Sequence, residues 1–148
     1  MSIRPRELIL AILLPALAAG CSRAPSPAAA GEPRRHEHHP PHGGTPVVLG
    51  DEACHVELVL DAAAGTLQAF VLDAEMENFI RCSAPSIEIV ARVDGAPRTL
   101  VLGAVANPAT GETVGDTSLF EARADWLRAT RRFDAVLRSV TVRGTTYT

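Results

Sequence analysis

Ala53-Cys54-His55-Val56-Glu57-Leu58-Val59-Leu60 decides the fold. Cys54, Val56, Leu58 and Leu60 fall on one side of an extended chain, and His55, Glu57 and Val59 fall on the other. Side chains alternate across a strand with a period of two, so this is a β-strand with one apolar face and one mixed face. The residues on either side repeat the pattern in short runs. Thr45 to Leu49 precedes it. Asp61-Ala-Ala-Ala-Gly65 makes a short turn after it, and Thr66 to Asp73 returns as a hairpin partner.

Further along, Asn78 to Cys82 is a weak run. Ser86 to Val93 sets Ile87, Ile89, Ala91 and Val93 against Glu88 and Arg92. Asp94-Gly95 is a hairpin turn signal, and Arg98 to Val105 pairs back. Asn107 to Gly111 is a loop, and Thr117 to Arg123 and Ala135 to Arg143 are the remaining strands. Asp125 to Thr130 is the single helical candidate, with Asp125 as its N-cap and Trp126 plugging one end of the core. About seven short strands punctuated by turns predict an all-β fold: one antiparallel, Ig-like β-sandwich with one short helix over residues 45–148.

The start of the chain predicts its compartment. Arg4 and Arg6 lead an apolar run from Leu8 to Ala19, too short to span a bilayer. Small residues then precede Cys21. This is the pattern of a secretory signal peptide over residues 1–20. Ala18-Ala19-Gly20-Cys21 resembles the lipobox of bacterial lipoproteins, with Ala18 where Leu is usual. The resemblance implies acylation of Cys21 and a mature chain beginning there, anchored by several acyl chains. Ser22 stands where an Asp often marks retention at the inner membrane. The expectation is therefore a bacterial envelope lipoprotein at the outer membrane, facing the periplasm.

Cys54 and Cys82 remain once Cys21 is assigned to lipid. An oxidising compartment permits a disulfide between them; two separately buried thiols are the alternative. The whole chain carries a formal charge of −3, and its leader adds one net positive charge, so the remainder is slightly more acidic. That balance argues against a nucleic-acid partner, which asks for a basic face. No Lys occurs; every long cationic side chain is Arg.

Residues 21–44 form a flexible tether rich in Pro, Ala and His. All five His lie between His36 and His55. His36, His38, His39 and His42 crowd the stretch His36-Glu37-His38-His39-Pro40-Pro41-His42, where the two Pro forbid a helix. Gly43 and Gly44 permit positive φ and a tight entry into the fold. Imidazole is the commonest metal ligand, and His-rich tracts take Cu or Zn. His55 and Glu57 leave the same face of their strand, and with His42 nearby a His, His, Glu site is geometrically open. The plainer reading is a hydrogen-bonded His–Glu pair on the surface. Asp73 to Asn78 is an acidic loop without the spacing of an EF-hand, expected to be solvated.

The segments His42-Gly43-Gly44-Thr45, Leu49-Gly50-Asp51, His55 to Asp61 and Phe70 to Asp73 together resemble a group of bacterial envelope lipoproteins. Similar His-Gly-Gly segments accompany periplasmic adaptors of heavy-metal efflux systems. The resemblance covers residues 36–78 and implies an envelope β domain linked to metal, with efflux components as partners. The acidic loop departs from the group's pattern, holding Glu75 where a His often stands, which weakens the case for a complete metal site.

Catalysis finds no support. There is no Gly-x-Ser-x-Gly, no His-Glu-x-x-His and no phosphate-binding Gly loop. Cys54 and His55 are adjacent on a strand and point to opposite faces, so they are no nucleophile–base pair. Aromatic residues make up 4% of the chain, too few for a sugar platform. The expectation is a non-enzymatic lipoprotein that binds a transition metal, or alternatively a structural or protein-interaction lipoprotein without a ligand.

Overall fold

The computed structural model describes residues 39–148. The leader, Cys21, most of the tether, His36 and His38 lie outside them. The alternating runs become eight antiparallel strands: β1 (Thr45–Leu49), β2 (Cys54–Asp61), β3 (Thr66–Asp73), β4 (Ser86–Val93), β5 (Ala96–Ala104), β6 (Leu119–Arg123), β7 (Asp134–Val142) and β8 (Thr145–Tyr147). They form one sheet in the order β1-β2-β3-β6-β5-β4-β7-β8. The sheet folds over on itself where only two residue pairs join β6 to β5, Glu121 with Gly103 and Phe120 with Ala104. Two four-stranded leaves result, the expected two-layer antiparallel architecture.

The inward faces of the leaves make the core. Val56, Leu67, Ala69, Val71 and Phe120 from one leaf meet Ile87, Ile89, Leu102 and Val140 from the other. Each lies at an alternate position of its strand, so the period-two pattern and the burial agree. Asp94 and Gly95 both take positive φ, 52° and 80°, as a tight hairpin turn between β4 and β5 requires.

Three local expectations need correction. β8 is an additional strand, turned back from β7 through Arg143 and Gly144, whose φ values of 50° and 82° repeat the Asp94–Gly95 geometry. The run at Asn78 to Cys82 is not a strand; it makes isolated bridges from Phe79 to Leu72 and from Cys82 to Thr117. The helix, α1 (Asp125–Arg128), is one turn long, with Ala124 at its N-cap and Asp125 inside its first turn. The side chain of Asp125 therefore caps nothing. Leu127 on α1 is fully buried, and Trp126 packs edge-on against Phe133 at a ring distance of 5.7 Å.

Candidate site at the entry of the tether

The outward face of β2 was expected to meet solvent. It does not: His55 and Glu57 are both 0% exposed. Two segments cover that face. Residues 39–44 fold back over β2 in a turn closed by the Gly43 N–H donating to the Pro40 carbonyl at 3.0 Å. From the other side, the acidic loop after β3 folds in and buries Met76. The loop therefore acts as a cover, with Asp73 at its base. Asp73 accepts hydrogen bonds from the Asn78 side chain and the Glu77 backbone.

Glu57 is the centre of this second layer. One carboxylate oxygen accepts the backbone N–H of His42 at 2.9 Å and that of Gly44 at 2.8 Å; the other contacts His42 Nδ1 at 2.8 Å. A carboxylate bonded this way accepts, so Nδ1 of His42 donates and Nε2 is the nitrogen the ring can still offer. The strand needs Gly at position 44: a Cβ there would stand 2.5 Å from the Leu58 carbonyl oxygen. The close approach lets the tether's backbone reach Glu57, while Gly43 supplies the positive φ that turns it.

Aromatic rings fix His42 from behind. Its imidazole stacks on Phe70 with centroids 3.8 Å apart and 14° between planes, and Phe79 lies tilted at 5.8 Å. Phe70 stands directly across from Glu57 in the β2–β3 register. The Asp61–Gly65 turn sets that register, so the pairing of Phe70 with Glu57 follows from the hairpin, while the ring's contact with His42 depends on the tether folding back. Phe79 is 51% exposed and carried no periodic signal.

The expected ligands thus divide. His42 and Glu57 are in direct contact, and their pair is a junction between tether and domain rather than a pair on one strand. His55 points under the acidic loop, with Nδ1 3.2 Å from the Asp73 carbonyl oxygen. His39 is exposed. Both oxygens of Glu57 are held by groups of the chain itself, so its fitting role is to orient His42. Among the described residues no three His, Cys, Asp or Glu side chains are grouped to hold a metal ion.

Cys54 and Cys82 are buried free thiols. Burial raises the pKa of Cys82 to about 11, with the nearby Cys54 adding to it. Burial also raises that of Cys54, against a hydrogen bond to Tyr147 and the charge of Arg143. The two point into the core at the end where Tyr147 of β8 lies against Gly50, in the turn before β2. No family model, curated protein or solved structure matches the chain.

Proposed function

We propose that this is a non-enzymatic, lipid-anchored lipoprotein of the bacterial envelope. It captures a transition-metal ion, Cu or Zn, where its His-rich tether enters the β domain, as an accessory to metal efflux. The observation that carries this reading is the contact from Glu57 to His42 Nδ1. Metal-binding His residues characteristically donate their other ring N–H to a carboxylate, which fixes the tautomer and strengthens the free nitrogen as a ligand. Glu57 supplies that support from full burial, and the Phe70 stack holds the ring in place. His36, His38 and His39 lie a few residues upstream to complete the donor set. A second reading, an interaction lipoprotein without a ligand, is favoured by Val101 and Val136, which stand 56% and 64% exposed on the outward face of the other leaf.

Calorimetric titration of the unlipidated chain with Cu(II), Zn(II) and Ni(II) separates them. Wild type should bind one ion tightly. His42→Ala should remove that site, and Glu57→Gln should weaken it by roughly 10- to 100-fold, with circular dichroism reporting that both variants fold. Binding that survives His42→Ala and disappears only when His36, His38 and His39 are replaced would reduce the chemistry to the tether alone. No binding by wild type would leave the interaction reading.

A further inference from the structure

The apolar row on the inward face of β2 changes along its length. Cys54 and Val56 are sealed, at 1% and 0% exposure, whereas Leu58 and Leu60 point the same way and are only half-buried. The cause is in the edges of the sheet. β8 has three residues and pairs with Val140 to Val142 alone. Beside the earlier half of β7 no described strand stands between it and the free edge of β1. Core side chains are therefore reached from outside through a cleft of about 210 Å³. Val47, Leu58, Leu60, Leu67 and Phe133 are among its walls, and Arg131 and Arg132 also line it.

The two arginines are exposed and consecutive. The ion pairs of the described residues involve Arg81, Arg123, Arg138 and His42, not these two. Asp134, two residues further along, stands across from Arg92 in the β4–β7 register instead. An apolar slot with two uncommitted guanidinium groups at its rim has the chemistry of a site for one alkyl chain ending in an anion. Guanidinium groups hold carboxylates through paired N–H donors, and each methylene taken from water raises affinity roughly fourfold. The slot is smaller than the roughly 300 Å³ at which pockets for drug-sized ligands begin. That size suits one chain and not a two-chain lipid.

We propose that the seam between β1 and β7 binds a single-chain fatty-acid carboxylate, its chain along Leu58 and Leu60 and its head between Arg131 and Arg132. The site is separate from the His42–Glu57 junction and does not depend on metal. The test uses the full chain carrying Cys21→Ser, so that no acyl group of its own is added, with a chelator present throughout. A dansyl-labelled undecanoic acid serves as the fluorescent probe. Decanoate should displace it, and decyltrimethylammonium, of equal chain length and opposite charge, should be at least tenfold weaker. Arg131→Glu with Arg132→Glu should lower probe affinity tenfold or more. Arg123→Glu, which changes an exposed arginine away from the cleft, should leave it within twofold. Leu60→Glu should block the chain with the arginines intact. Absence of probe binding, equal displacement by anion and cation, or unchanged affinity in the double Arg variant would overturn the assignment. Displacement by an uncharged extended peptide as well as by decanoate would also overturn it, assigning the seam to strand pairing.

Discussion

The two ends of β2 carry the same pattern and meet different fates. Around Cys54 and Val56 the sheet closes: Tyr147 of β8 lies against Gly50 and bonds to Cys54, and no side chain on the inward row is wet. Around Leu58 and Leu60 the same alternation faces an incomplete wall. Alternation states which way a side chain points, and the neighbouring strands decide whether that direction is dry. The strongest test of the difference places one charge at each end. Val56→Asp buries an unpaired carboxylate and should abolish cooperative unfolding. Leu60→Asp forfeits only a half-buried side chain and should cost about 1–2 kcal/mol, read from urea melts followed by circular dichroism. Equal losses would mean that the sheet is closed along its whole length.

The outer face of β2 sharpens the comparison, because there the closure is polar. Glu57→Ala removes the acceptor of two backbone N–H groups, those of His42 and Gly44. It should cost about 1–3 kcal/mol, since part-buried donors left without partners are expensive. Glu57→Gln keeps an oxygen for those donors and should cost about half as much. The same urea melts apply, and Glu57→Ala should also raise hydrogen exchange at the amides of His42 and Gly44. Stability unchanged in Glu57→Ala would mean that the tether entry contributes nothing to the fold.

The closed end is tested by alkali. The Cys82 thiol has its pKa raised by burial from 9.0 to about 11. The unfolded chain ionises first, so this contribution is whole below pH 9.0 and is lost as pH rises towards 11. Melting temperature should fall across that window, and Cys82→Ala should flatten the fall. In native protein at neutral pH, Cys54 and Cys82 should resist thiol reagents that modify both after unfolding, because the reactive species is the exposed thiolate. Rapid labelling of either thiol in native protein would show that this end also opens.

Much of this architecture is written in local sequence. β1, β3 and β4 occupy the runs where alternation places them, and Asp94-Gly95 marks its hairpin. What local pattern misses is what distant segments do to a face. Glu57 reads as solvated because its strand is half polar, yet a turn fifteen residues upstream delivers two N–H donors to it. Asp73 to Asn78 reads as a solvated acidic loop, yet it folds inward and buries Met76. β8 is only Thr145 to Tyr147, too short for a periodic signal, and its trace is the Arg143-Gly144 turn. The open seam was invisible for the same reason: it depends on which edges end up facing each other, and a strand's own residues do not encode that.

The smallest expected effect lies in the loop between β5 and β6, at Glu112. Burial opposes ionisation of this side chain. Hydrogen bonds outweigh it: Ser118 Oγ and Thr110 Oγ1 donate at 2.6 Å and the Ser118 backbone N–H at 2.8 Å, with Arg81 nearby. The net result is a pKa below the usual 4.5. A depressed carboxylate stabilises the fold above its unfolded value and loses that contribution as pH falls through its folded one. Melting temperature should therefore hold from neutrality to near pH 4.5 and decline below it. Asp73, whose pKa is lowered chiefly by the Asn78 side chain, should add to the decline at still lower pH. Glu112→Gln keeps the shape but accepts less strongly from both hydroxyls, so it should be less stable at neutral pH and lose less on acidification. Converging curves for wild type and variant at low pH would place the acid sensitivity at this carboxylate, and parallel curves would place it elsewhere in the fold.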